Sequence, residues 1–212
     1  MRHDGLPPNI AEVARAILGA GARLDRRSVE STLGLVASGR VARESGVQSA
    51  LVNLLCDYGA NPGVAMGAAL GHGEIQAVNA LIARGARVDL RVAAATGRLD
   101  DARTTVASAS AEDRHFAFAW AAQFGHVAIV KFLLDLGEEP NRFNPQGAHS
   151  HSTPLHQAAL AGHGDTVRLL TEHGARLDIK DILWGGTPAD WADHAGHPEI
   201  AAYLRASGTR RP

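Results

Sequence analysis

The sequence predicts an all-α fold, a solenoid of helix-turn-helix repeats joined by short hairpin or loop fingers. Three observations carry that prediction. Short apolar stretches with helical spacing recur in pairs, each closed by a glycine, as at Gly125, Gly137, Gly162, Gly174 and Gly196. Aromatic residues make up only 5% of the 212 residues and alanine is plentiful, which favours close packing of small-residue helices over a β-rich core. No linker-like stretch divides the chain. A single helix pair of this kind cannot bury its apolar face alone, so the pairs must stack.

The clearest unit is residues 153–175, reading Thr-Pro-Leu-His-Gln-Ala-Ala-Leu-Ala-Gly-His-Gly-Asp-Thr-Val-Arg-Leu-Leu-Thr-Glu-His-Gly-Ala. Thr153 can cap a helix with its hydroxyl, and Pro154 suits a first helical position because it has no N–H to leave unpaired. Leu155, Ala158 and Ala159 fall at i, i+3 and i+4, a narrow apolar stripe that lets a neighbouring helix come close. Gly162 and Gly174 end the two helices, since glycine tolerates positive φ. Val167, Leu169 and Leu170 supply the core side of the second helix.

This string resembles the ankyrin repeat family, whose signature is Thr-Pro-Leu-His-x-Ala with a period of about 33 residues. The resemblance implies about six repeats plus an N-terminal half repeat over residues 1–212, read as one ankyrin-repeat domain. Residues 1–29 would form the N-terminal half or capping repeat, with a helix over 10–18 and a stop at Gly21. Residues 30–61, 62–87 and 88–115 would be irregular short repeats. Residues 116–152 and 153–186 would be regular repeats with long fingers, and 187–212 the C-terminal cap. Within 28–45 the register stays open between one long helix ending at Gly46 and a normal one ending at Gly39 with an insertion after it.

First-helix glycines locate the fingers. Gly71 to Gly97 and Gly97 to Gly125 are closer together than the family period of about 33 residues, whereas Gly125 to Gly162 and Gly162 to Gly196 are farther apart. The helices keep their length, so the surplus lies in the connecting loops. By resemblance these fingers line the binding face, and they should be short in the middle and long near the C-terminus.

Composition narrows the function. A formal net charge of -1 offers none of the positive excess that nucleic acid requires. The single cysteine, Cys56, excludes an internal disulfide and fits a reducing compartment. Its place after Leu54-Leu55 predicts a buried, inert thiol. Residues 1–9 lack an apolar signal core, and no run approaches the roughly 20 apolar residues of a membrane span. A cytoplasmic monomer without membrane contact and without a cofactor is expected. Short arginine groups at Arg23, Arg26, Arg27, Arg210 and Arg211 read as solvated surface.

The longest finger, 138–152, carries His149 and His151. In an extended backbone these would point to the same side. Two imidazoles begin a zinc site, and His156, Asp190 and His194 are the candidates to complete it. Against that, the resemblance gives His156 a structural hydrogen bond bracing its turn, with Asp190 in its place one repeat later. It also assigns His72, His126, His163 and His197 to a structural Gly-His step. Trp120, Gln157 and Trp191 share a framework position, whereas Trp184 lies in the last finger where packing demands no indole. By alignment, Phe124, Leu160 and His194 lie near a groove-facing position before the Gly-His step.

Two functions follow. The first is a non-enzymatic module that binds another protein through Phe124, His149, His151, Leu160, Trp184 and His194, because exposed aromatics and histidines together make an interaction hot spot. The second is a small-molecule or metal-dependent enzyme with its site around His149, His151, Asp190 and His194. No Gly-rich phosphate loop, Gly-x-Ser-x-Gly elbow or His-Glu-x-x-His supports it, and no catalytic residue or metal site is assigned.

Overall fold

The computed structural model describes residues 5–20 and 25–208, and among these no backbone forms a strand. The all-helical expectation therefore holds, and the fingers are turns and bends. The helices group into two compact units, Met1–Val88 and Asp89–Pro212.

The first unit contains α1 (Ile10–Gly19), α2 (Arg26–Ala37), α3 (Arg40–Glu44), α4 (Gln48–Asp57), a 3-10 turn at Pro62–Ala65, α5 (Met66–Gly71) and α6 (Ile75–Ala83). Helix α4 packs on α2 and α6, and α5 packs on α2 and α6. No residue of α1 is buried. The expected stop at Gly21 lies outside the described residues, as do Arg23, Arg210 and Arg211.

The open register over 28–45 resolves as a helix broken in two. Asp25 caps α2 by accepting from the Ser28 N–H at 3.0 Å, so α2 already runs through residues 29 and 30. Gly39 is extended, and a Cβ there would sit 2.6 Å from the Leu35 carbonyl oxygen. Any other residue would clash with the end of α2, so the break is fixed by this glycine. Helix α3 then carries the chain to Gly46, where the Val47 N–H donates to Ala42 O at 3.1 Å. The same closure recurs from Glu74 to Ala69, Arg98 to Ala93, His126 to Ala121, His163 to Ala158 and His197 to Ala192.

That recurrence corrects one expectation. The left-handed residue after α5 is Gly73, with φ of 67°, so Glu74 and not His72 occupies the step, and His72 is exposed. The buried Glu74 carboxylate pairs with Arg43 at 2.6 Å and accepts from Gln48 Nε2 at 3.4 Å. An ion pair thus occupies the step that imidazole fills in the later repeats. Cys56 is half-buried where a buried thiol was expected; desolvation pushes its pKa up, which keeps the unreactive protonated form.

The second unit contains α7 (Leu90–Ala95), α8 (Leu99–Thr105), a 3-10 turn at Val106–Ser108, α9 (Ala111–Gln123), α10 (Val127–Asp135), α11 (Pro154–Leu160), α12 (Gly164–Glu172), α13 (Pro188–His194) and α14 (Pro198–Gly208). Helices α7, α9, α11 and α13 pack side by side, and α10 packs against α8 and α12. Helix α9 starts at Ala111, ahead of the expected 116, because Ser110 and Asp113 form a capping box. Trp120 is buried and meets Phe116 edge-on at 4.6 Å, as its framework position implied. The longest connection of this unit joins α10 to α11, as the glycine spacing predicted.

Histidines of the Gly-His step lock neighbouring repeats. The rings of His126, His163 and His197 lie against Gly97, Gly125 and Gly162 of the preceding repeat. His126 Nε2–H and His163 Nε2–H donate to Ala95 O and Gln123 O, both at 3.1 Å. A Cβ on Gly125, whose φ is 74°, would lie 2.6 Å from His163 Nδ1. Gly125→Ala should therefore cost about 2 kcal/mol from left-handed strain and displacement of the ring. An unshifted urea midpoint would show that the ring moves aside freely.

Candidate functional site

The long finger is closed by a small polar core. Asn144 N–H donates to Ser152 O at 2.8 Å, and Gln157 Nε2 donates to Ser152 Oγ at 2.9 Å. Ser152 Oγ–H in turn donates to His149 O at 3.0 Å. His149 has a φ of 61°, the single positive value at a non-glycine among the described residues. The extended backbone expected for His149 and His151 is therefore replaced by a left-handed turn. The turn still brings the two rings within 6.0 Å, nearly perpendicular.

The last finger is built around Asp181, a buried residue with 3% exposure. Its Oδ1 accepts the N–H groups of Leu183 at 2.9 Å and Trp184 at 2.8 Å. Its Oδ2 accepts the Gly186 N–H at 2.8 Å and the Trp191 indole N–H at 3.0 Å. Burial pushes this carboxyl up, but the four donors outweigh it and hold its pKa down at about 2. The two fingers are joined by the Ile182 N–H donating to His151 O at 2.9 Å.

Between these fingers and the helices behind them lies a cavity of about 650 Å³. His149, His151 and Trp184 line it from the fingers, Gln157 and Leu160 from α11, and Asp190, Trp191 and His194 from α13. His151 meets Trp184 edge-on at 5.4 Å and lies 5.7 Å from Trp191, and the two indoles are 5.9 Å apart. Burial, and secondarily the neighbouring His151, push the His149 pKa down, favouring its neutral form.

Five of the six residues nominated from sequence, His149, His151, Leu160, Trp184 and His194, thus meet in one cavity. Phe124 does not line it. It caps the end of α9, with its ring 6.5 Å from His126.

Two of the three residues proposed to complete a metal site, His156 and Asp190, are engaged otherwise. His156 Nδ1 accepts the Thr153 N–H at 3.3 Å and its hydroxyl at 2.8 Å, while Nε2–H donates to Gly186 O at 3.2 Å. Asp190 Oδ2 accepts the Thr187 N–H and hydroxyl in the same manner. These are the bracing roles that the motif implied. Among the described residues no three His, Cys, Asp or Glu side chains gather as a group able to hold a metal ion.

The family model described as ankyrin repeats (3 copies) matches residues 40–181 and 118–210, most of the chain. The chain belongs to the ankyrin repeat family. Among similar ankyrin-type relatives, human cyclin-dependent kinase inhibitor 2A is 35% identical over 127 residues, covering 57% of this chain and 79% of that protein. Bovine cyclin-dependent kinase 4 inhibitor B is 33% identical over 127 residues, covering 58% of this chain and 94% of that protein. The opossum (Monodelphis domestica) cyclin-dependent kinase inhibitor 2A is 43% identical over 81 residues, covering 38% of this chain and 45% of that protein. Membership and these relatives support a protein-interaction role over an enzymatic one.

Three residues of this ankyrin site escaped the sequence reading. Asp181 was legible in principle, since an Asp followed by Gly185-Gly186 is a turn-former that binds its own downstream N–H groups. Trp191 is only 8% exposed and packs on His156 at 5.2 Å, yet it also lines the cavity, so framework and site coincide there. Gln157 gave no signal, because its role depends on Ser152 in the preceding loop.

Among the described residues, no helix is long and apolar enough to cross a membrane.

Proposed function

We propose that this chain is a protein-interaction module that binds its partner at the cavity between the two C-terminal fingers. The observation that carries this is an apolar finger tip beside the cavity. Ile182, Leu183 and Trp184 are consecutive and respectively 68%, 60% and 73% exposed. Three large apolar side chains are held in water by a buried aspartate, and that exposure has no purpose in the fold's own packing. A rigid, exposed indole over a preformed cavity is the composition of a binding hot spot. We take the module to act in the cytoplasm as a monomer, on protein and not on nucleic acid.

Because the relatives are named as inhibitors of cyclin-dependent kinases, a kinase of that class is the first partner to test. Wild type and a His149→Ala/Trp184→Ala variant would be presented to a cyclin-dependent kinase panel and, in parallel, used for affinity capture from the source lysate. The double variant is expected to lose about tenfold or more in affinity for whatever the wild type holds. A partner bound equally by both proteins would place the interface elsewhere.

A further inference from the structure

The lining of the cavity has a consistent chemistry. It offers the indoles of Trp184 and Trp191, the imidazoles of His149 and His151, and the Asp190 carboxylate, and none of its lining residues is lysine or arginine. Faces of aromatic rings carry negative potential and attract cations. Trp191 is enhanced in this respect, because its indole N–H donates to the buried carboxylate of Asp181 at 3.0 Å. An anion at the N–H edge polarises the ring and deepens the negative potential over its face.

We propose that this cavity receives an arginine side chain of the protein partner, its guanidinium stacked on the exposed Trp184 indole beside Trp191 and its edge turned to Asp190. The inference rests on the protein-interaction reading above and names the group that the partner supplies. A planar, weakly hydrated guanidinium suits such a site better than an ammonium, because it presents a face to the rings and N–H donors to the carboxylate at once. The site has both surfaces: His151 stands at 90° to Trp184, making a corner that holds a flat group. Asp190 Oδ2 serves Thr187, and Oδ1 is ion-paired at 3.6 Å with Arg205, whose guanidinium sits closer to Asp193; one cation is thus shared by two carboxylates, and Asp190 keeps acceptor capacity toward a second. The same pairing already serves within the fold, where Arg91 lies 4.4 Å from the centre of the Phe116 ring and Arg168 lies 5.9 Å from that of Tyr203.

The test uses the full chain and capped peptides with glycine on both sides of a central residue. Arginine is compared with citrulline, which has the same shape without the charge, and with trimethyllysine, a cation without the plane. Binding is followed by the indole N–H resonances of Trp184 and Trp191. The arginine peptide is expected to give saturable shifts, with the citrulline peptide about tenfold weaker and trimethyllysine weaker than arginine. Trp184→Leu keeps apolar bulk on an exposed, independently held tip and should abolish the arginine response. Equal binding of citrulline, tighter binding of trimethyllysine, an unchanged response in Trp184→Leu, or no saturable shift would each overturn the assignment. If His149→Ala/Trp184→Ala still loses its protein partner while arginine and citrulline are indistinguishable, the interaction reading stands and the arginine assignment falls.

Discussion

Replacing Asp181 with Asn is expected to destabilise the 89–212 unit by about 3 kcal/mol, within the range for losing hydrogen bonds to a buried charged group. The carboxylate receives four donors, two on each oxygen. An amide keeps one oxygen and turns an NH₂ toward two N–H groups that need an acceptor. Whichever way the Asn side chain flips, either the Leu183 and Trp184 amides or the Gly186 and Trp191 donors are left buried and opposed. Urea unfolding followed by tryptophan emission measures the effect, and a midpoint within error of wild type would remove Asp181 as the organiser of the finger.

The same carboxylate gives an acid dependence with a definite sign. Its folded pKa is about 2 against an ordinary 3.8, so below pH 3.8 the unfolded chain takes up a proton that the fold refuses. The stabilisation is therefore complete above pH 3.8 and is lost as pH falls toward 2, amounting to about 2 kcal/mol. In Asp181→Asn that component should vanish, leaving a shallower acid limb in a plot of stability against pH.

His156→Ala should cost about 3 kcal/mol, at the upper end of the 1–3 kcal/mol expected of the motif hydrogen bond alone. The side chain is fully buried, so its removal leaves the Thr153 N–H without its acceptor, takes one of the two donors from Gly186 O, which keeps the Asp181 N–H, and opens a void beside Trp191. Burial, the dominant cause, pushes the His156 pKa below its ordinary 6.5, and the hydrogen bond to Gly186 only partly opposes it. The fold thus holds this histidine neutral, and its contribution is present above pH 6.5 and lost as pH falls below that value. His126 and His149 are shifted in the same direction, so the variant should flatten only part of the slope. Calorimetric Tm values for both proteins between pH 7 and 5 distinguish this: parallel curves would mean that His156 is not the buried titrating group described.

Much of the fold was legible because its signals are local. A capping Thr, a Pro at the first helical position, apolar spacing at i, i+3 and i+4, and a closing Gly lie within one repeat and act over a few residues. Where two local solutions compete, locality fails. Gly71 and Gly73 both offer a helix stop, and the choice of Gly73 depends on Glu74 finding Arg43 and Gln48 in other helices. In the same way Ser38-Gly39 and Gly46 both end helices, and both stops are used, because Gly39 alone admits the Leu35 carbonyl oxygen.

For the site, the sequence alone nominated side chains: His149, His151, His194 and Trp184 as residues that the repeat motif did not claim, and Phe124 and Leu160, with His194, by their place near a groove-facing position. It also determined, through the family pattern, that His156 and Asp190 brace turns. The tertiary structure alone decided that five of the six nominated residues share one cavity, that Phe124 stands apart from it, and that Trp191 and Gln157 complete the wall. The reason is the range of the forces involved. Helix and turn signals are set by neighbours in the chain, whereas the cavity is set by contacts such as Ile182 N–H to His151 O and Trp191 N–H to Asp181, which exist only once two fingers and a helix have been brought together.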